Sequence, residues 1–381
     1  MKKFNFSKAE KIVIKLGSSI VTNDGEGLDK KCLSNLIKQI SILSSKNKKV
    51  ILVSSGAIAA GLKKLGIKKR PKVLSELQSA AAVGQMDLVR IYEELFSDNN
   101  LISAQVLLTH NDLSDRKRYL NARSTIFNLI KNNVVPVINE NDTVASEEIR
   151  FGDNDSLAAM VANLIEADLL VLLTDQDGLF SSDPREDNHA KLIHHSYVDD
   201  KNLDDQASGT KSKIGTGGMT TKILAARRAA LSGAHTIIAS GKRVNILVDL
   251  SNDEDIGTFL QSRDGKLAAR KKWLADNLKS NGKVYIDEGA EKALIHKGKS
   301  LLVAGVTKVT GTFDRGEVIQ CLNNSGNEIL KGLVNYNSEE VKKIIGLSSD
   351  KIESALGYVN ESSLIHRNNM IIIPTVRKEN D

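Results

Sequence analysis

The chain is poor in aromatic residues. Phe, Trp and Tyr make up 4% of its 381 residues. A surface that stacks single-stranded bases on aromatic rings would have few residues to draw on. There are two cysteines, Cys32 and Cys321, too far apart to form a metal or redox spacing. A reducing cytoplasm is the simple reading of that usage. No apolar run approaches the roughly 18 residues needed to span a bilayer. The N-terminal "MKKFNFSKAEKIVIKLG" lacks the apolar stretch of a signal peptide. A cytoplasmic chain with no membrane partner is therefore expected. The seven histidines are scattered, and none is expected within the polar clusters described below. No serine–histidine or cysteine–histidine pairing and no zinc spacing is visible.

What remains is ordinary in composition: 41% hydrophobic and 26% charged, with a net charge of +6. That supports sizeable cores, and the length suits two or three domains. A mild basic excess is compatible with ATP, an acidic metabolite or nucleic acid, and equally with lysine-rich usage. The first two thirds alternate strand and helix. "KIVIKLG" (11–17), "KKVILVSSGAIAAG" (48–61), "NNVVPVINEND" (132–142), "ADLLVLLTDQDG" (167–178) and "AHTIIASG" (234–241) each run from an apolar strand into a turn. Helical patterns such as "LSNLIKQISILSSK" (33–46) and "SLAAMVANLIEA" (156–167) lie between them. Nearly continuous apolar strands separated by helices predict an α/β fold, an open and mostly parallel αβα sandwich. Ligands in such sheets sit beyond the C-terminal strand ends. The pattern changes near residue 260. Residues 1–260 read as one domain and the charged stretch 261–280 as a linker. Short strands with glycine turns over 281–365 read as a small β-rich domain. A closing strand and polar tail follow over 366–381.

Five polar clusters fall where these strands end. "GTGGMTTK" (215–222) leads into a helix. It is neither G-x-x-x-x-G-K-[ST] nor G-x-G-x-x-G. Its glycines allow close backbone approach to an anion, and its free N–H groups sit at the positive end of the helix dipole. Lys222 falls on the first or second turn, able to reach back to a phosphate. A plain surface loop before a helix would read the same way. Lys15 interrupts an apolar strand just before a glycine turn. Such a lysine is costly unless it meets an anion or points outward from an edge strand. "VSSGAIAAG" (53–61) offers Ser54 and Ser55 among small residues, which suit either a ligand or tight packing. "NENDTVA" and "FGDNDSLAA" hold Asn139, Glu140, Asn141 and Asp142, then Asp153, Asn154 and Asp155, more than helix capping requires. Thr174, Asp175 and Asp177 end the strand of "LLTDQDGL", where a nucleotide or a simple turn would fit.

The lack of a histidine base in these clusters is itself informative. Phosphoryl transfer to a carboxylate needs none, because the nucleophile is already ionised at neutral pH. It needs positioning and positive charge around the transferring group. Two lysines and a set of backbone N–H groups would supply both.

In this order the clusters resemble the amino acid kinase family. The residues that carry the likeness are "VIKLGSS", "VSSGAIAAG", "AAVGQ", "LNARST", "VPVINENDTVA", "FGDNDSLAA", "LLTDQDGL" and "GTGGMTTK". It continues through "VYIDEGA", "SLLVAGV", "GTFDRGEVI" and "LGY", and the C-terminal part resembles a PUA domain. "INENDTVA" with "SSGAIAAG" points to the branch that phosphorylates the side-chain carboxylate of L-glutamate. The resemblance implies ATP and Mg2+ as cofactors. It implies that Lys15 and Lys222 stabilise the transferring phosphoryl group and that Asp155 holds them. Ser55, Asp142 and Asn154 would bind L-glutamate. Lys15, Thr174, Asp175, Thr216, Gly217, Gly218, Met219, Thr220, Thr221 and Lys222 would bind ATP, with no metal held by side chains alone. It further implies L-proline as a feedback inhibitor at an overlapping site, and a homo-oligomer, dimer or tetramer. A sister kinase acting on N-acetylglutamate or aspartate, and an RNA-binding protein using the PUA-like part, are the alternatives. Lys211 and Lys213 depart from the small, polar loop that the resemblance leads one to expect.

Overall fold

The computed structural model describes residues 6–25, 27–145, 154–207, 218–263, 265, 282–359 and 361–373. Apart from residues 115–120, the first compact unit comprises the chain up to residue 270. The expected linker therefore lies almost wholly outside the described residues.

The first unit carries strands β1 (Lys11–Leu16), β2 (Lys49–Val53), β3 (Ile102–Leu108), β4 (Val134–Glu140), β5 (Leu169–Thr174), β6 (His195–Tyr197), β7 (His235–Ser240) and β8 (Thr258–Gln261). Its helices are α1 (Ser18–Val21), α2 (Lys30–Ser45), α3 (Ala57–Lys64), α4 (Leu74–Ser97), α5 (His110–Ser114), α6 (Arg116–Lys131), α7 (Asn154–Ile165), α8 (Asn202–Ala207), α9 (Met219–Ala230) and α10 (Ile246–Ser251). The strands form one sheet in the order β3-β4-β2-β1-β5-β7-β8-β6. The six strands from β3 to β7 run parallel, and β8 turns antiparallel against β7. Every residue of "LLVLLT" in β5 is buried, as an apolar run covered by helices on both faces should be. The chain moves from β1 outward through β2, then returns to β5 on the other side of β1. The order reverses at β1, and that switch point is where open α/β sheets leave a crevice.

Of the two readings open for the small residues ending at Gly61, a ligand or tight packing, packing explains Gly61, and Gly84 faces it in the same way. A Cβ on Gly61 would lie 1.7 Å from the carbonyl oxygen of Ala80, and one on Gly84 would lie 1.9 Å from that of Ala57. So α3 and α4 meet backbone to backbone, and "GAIAAG" is needed for that approach. Gly56 is different: it sits at φ 94° before α3, where a side chain would be strained.

The second unit carries β9 (Gly282–Ile286), β10 (Val306–Gly311), β11 (Val318–Leu322), β12 (Glu328–Leu333) and β13 (Met370–Ile372), in the order β10-β9-β11-β12-β13. A small β-rich domain was expected here. Three helices, α11 (Glu288–Lys297), α12 (Ser338–Ile344) and α13 (Ile352–Leu356), accompany the strands among the described residues. "VYIDEGA" changes element at Asp287, whose carboxylate accepts from Ala290 N at 2.7 Å and starts α11. Asn337 and Glu340 form a reciprocal capping box that starts α12. The core is apolar, with Val284, Ile286, Leu294, Val303, Ile319, Leu330 and Tyr336 buried.

Candidate active site

Lys15 sits in the middle of the sheet, paired in register with Val53 of β2 and Leu172 of β5. An outward-pointing edge position is thereby excluded, and only 6% of the residue is exposed. Its partner is Asp155, on the first turn of α7 and fully buried. Lys15 Nζ lies 2.6 Å from Asp155 Oδ1. Lys222 Nζ, arriving from the first turn of α9, lies 3.0 Å from Asp155 Oδ2. The Thr221 hydroxyl has one proton to share between Asp155 Oδ2 at 3.1 Å and Gly218 O at 2.8 Å. Burial alone would raise the Asp155 pKa. The Lys15 and Lys222 charges and their hydrogen bonds outweigh it and hold the carboxyl well below its ordinary range. The positive end of α7 acts in the same direction. Two ammonium groups and one carboxylate leave a net charge of about +1 at the switch point, a geometry ready for an anion.

The other side of the crevice is built from amides and hydroxyls. Ser54 and Ser55 follow β2 and are buried. Asn154 opens α7. Its amide nitrogen donates to Ser54 O and, at 2.7 Å, to Asn139 Oδ1. Asn139 in turn donates to Gln85 Oε1 at 2.8 Å. The Ser54 hydroxyl lies 2.8 Å from the Tyr92 hydroxyl, and burial pushes the Tyr92 phenol well above its usual pKa. Asp142 follows β4 and is half-buried. Burial, then the charge of Glu140, push its carboxyl up to about 7, against the pull of Arg70. At the end of β5, the Thr174 hydroxyl donates to Asp175 Oδ1 at 3.0 Å. Gly218 caps α9, and Met219, Thr220, Thr221 and Lys222 form its first turn, with backbone N–H groups directed out of the helix start. Thr216 and Gly217, with Lys211 and Lys213, lie outside the described residues, as does Asp153.

Three features escaped the sequence reading. His110 was expected to stand apart from the clusters. It lies 3.6 Å from Glu140 Oε2 through Nδ1 and 3.1 Å from the Ser156 hydroxyl through Nε2. Its closeness comes from α5 being carried on the loop after β3, a strand that the apolar pattern did not reveal. Gln85 and Tyr92 were also missed as site residues. The signal was present: Ala81, Gln85, Leu88 and Tyr92 follow helical spacing along α4, so Gln85 is a polar residue on an apolar stripe.

The sequence profile of the amino acid kinase family matches residues 10–240. The chain belongs to the amino acid kinase family. The PUA domain profile matches residues 282–356. A protein of Nitrosomonas eutropha named glutamate 5-kinase is 56% identical over 365 residues, 96% of this chain and 98% of its own length. One of the same name from Nitrosospira multiformis is 57% identical over 366 residues, again 96% and 98% of the two chains. Among solved structures, a T. acidophilum isopentenyl phosphate kinase aligns with a TM-score of 0.47 and 16% identity, covering 66% of this chain and 100% of its own. In this amino acid kinase the polar clusters gather at one crevice: the ends of β1, β2, β4 and β5 and the starts of α7 and α9 all open on the C-terminal edge of the sheet. No described helix is long and apolar enough to cross a membrane.

Proposed function

We propose that this chain transfers the terminal phosphoryl group of ATP to the side-chain carboxylate of L-glutamate. The products are ADP and L-glutamyl 5-phosphate, the first step of proline synthesis. The observation that carries the reading is the buried Lys15–Asp155–Lys222 arrangement, with two cations held by one carboxylate at the switch point. The substrate class follows from relatives above 50% identity that are named glutamate 5-kinase.

Each group has a role set by its chemistry. The glutamate side-chain carboxylate attacks in its ionised form, so no general base is required. Negative charge spreads over the phosphoryl oxygens as transfer proceeds, and Lys15 and Lys222 stand ready to meet it. Asp155 keeps both ammonium groups converged without their repelling one another apart. Thr174, Asp175 and the residues from Thr216 to Lys222 form the nucleotide side, with the start of α9 turned to the phosphates. Ser55, Asp142 and Asn154 form the glutamate side, where the Asp142 carboxylate suits the α-ammonium group. Magnesium would accompany the nucleotide and would supply positive charge beside its phosphate oxygens. Among the described residues no group of three or more His, Cys, Asp or Glu is placed to hold a metal.

The test is ADP release by the purified protein with MgATP and each acceptor in turn. Release that depends on L-glutamate and not on N-acetylglutamate or L-aspartate supports the reading. Release with either of the others, and none with L-glutamate, overturns the substrate assignment while leaving the kinase.

A further inference from the structure

The amides beside the crevice are locked in polarity by two backbone groups. The Ser54 carbonyl can only accept a hydrogen bond, so the Asn154 atom beside it is Nδ2. The Glu140 backbone N–H can only donate, and it reaches an Asn139 side-chain atom at 2.9 Å, which is therefore Oδ1. Asn154 Nδ2 then donates its second proton to that same Asn139 Oδ1 at 2.7 Å. Asn139 is left with its own Nδ2, which must donate, and it meets Gln85 Oε1 at 2.8 Å. Turning any one amide over would set oxygen against oxygen or N–H against N–H in a buried place. Asn139 is 2% exposed and Asn154 9%. Both protons of the Asn154 amide are thus spent within the protein. Neither of these bonds uses Asn154 Oδ1.

We propose that Gln85 is a positioning residue for substrate recognition: through Asn139 it holds Asn154 with its carbonyl oxygen, not its amino group, toward the substrate. An oxygen in that place accepts from the α-ammonium group of an amino acid and disfavours a carboxylate. The selection is then for the cationic end of the substrate, shared with Asp142. This inference rests on the L-glutamate reading above. Gln85 touches no reacting atom. It acts by giving the buried Asn139 Nδ2 an acceptor, without which Asn139 leaves its place against Asn154.

The test is steady-state kinetics of the full chain carrying Gln85→Leu and Gln85→Glu. Leucine keeps the helix and the volume but removes the acceptor. Glutamate keeps the accepting oxygen. Gln85→Leu should raise the KM for L-glutamate about tenfold, of the order of one lost hydrogen bond, with kcat and the KM for ATP within about twofold. Gln85→Glu should restore the KM to within about threefold of the unaltered protein. Glutarate, which lacks the ammonium group, should inhibit both variants and the unaltered protein with the same Ki. A merely structural role would move kcat, both KM values and the melting temperature together, and that result overturns the proposal. So does an unchanged KM in Gln85→Leu, or a glutarate Ki that rises with it. If the unaltered protein shows no turnover that depends on L-glutamate, the substrate reading itself falls, which is a different failure from an active protein indifferent to Gln85.

Discussion

Lys15 and Lys222 bind opposite oxygens of the one carboxylate of Asp155, at 2.6 and 3.0 Å. The two lysines come from distant parts of the chain, one at the end of a central strand and one at the start of a helix. Neither can move without disturbing the other. That coupling separates what each substitution should do.

On the proposed reading, Lys222→Ala removes a charge that would meet the phosphoryl group as it transfers. Turnover should fall by about 10²–10³-fold, with a much smaller change in the KM for L-glutamate. Initial-rate kinetics over both substrates checks it. An equal rise in KM with turnover preserved would mean that Lys222 serves ground-state binding only.

Asp155→Asn should cost stability as well as activity, because it leaves two buried ammonium groups facing each other. Breaking a buried pair in this way costs roughly 3–5 kcal/mol, to be read from urea unfolding. The pH dependence has a definite sign. The folded-state pKa of Asp155 is depressed, so its stabilisation is present above the ordinary carboxyl pKa and is lost as pH falls toward the depressed one. The unaltered protein should therefore lose its margin over Asp155→Asn on acidification.

Asp142 behaves in the opposite sense. Its carboxyl is pushed up to about 7 by burial and by Glu140, so below that pH it is neutral and pairs poorly with an ammonium group. The kcat/KM for L-glutamate should rise as pH increases through about 7, and Asp142→Asn should flatten that limb while lowering the plateau. The stability sign also differs. The folded form holds a proton that the unfolded chain releases, so this contribution is fully present below the unfolded pKa and is lost as pH rises through about 7. Urea unfolding of both proteins at pH 5 and pH 8 should show Asp142→Asn gaining relative to the unaltered chain at the higher pH.

Gly84→Ala tests the close contact of α3 with α4. The added Cβ would meet Ala57 O at 1.9 Å, so the helices must separate. A loss of about 1–3 kcal/mol or more is expected, together with a higher KM for L-glutamate, since α3 follows directly from Ser55. Thermal unfolding and kinetics on the same sample check both.

Much of this was legible where chemistry and position coincide along the chain. β1 and β5 announced themselves by nearly continuous apolar runs, and Lys15 stood out because a lysine inside such a run is costly unless it meets an anion or points outward from an edge strand. The loop into α9 showed its glycines and Lys222 together. Other features are not local. Asn139 and Gln85 meet across a separation of 54 residues, so no spacing rule joins them. β3 lies at the sheet edge, with Ile102 exposed and Ser103 and Gln105 interrupting its apolar positions, and it has neither the buried-strand nor the alternating pattern. Missing β3 also hid the approach of His110 to Glu140. Gly61 fitted a ligand loop or tight packing because small residues serve both purposes, and only the facing Ala80 carbonyl decides between them.

The central claim is that a carboxylate is phosphorylated at the paired lysines, and trapping the acyl phosphate tests it most directly. Purified protein is incubated with MgATP, L-glutamate and hydroxylamine, beside a Lys222→Ala sample. The account predicts hydroxamate from L-glutamate, none from N-acetylglutamate or L-aspartate, and a signal from Lys222→Ala lower by about 10²–10³-fold. No hydroxamate from folded protein with L-glutamate, or an undiminished signal from Lys222→Ala, would contradict it.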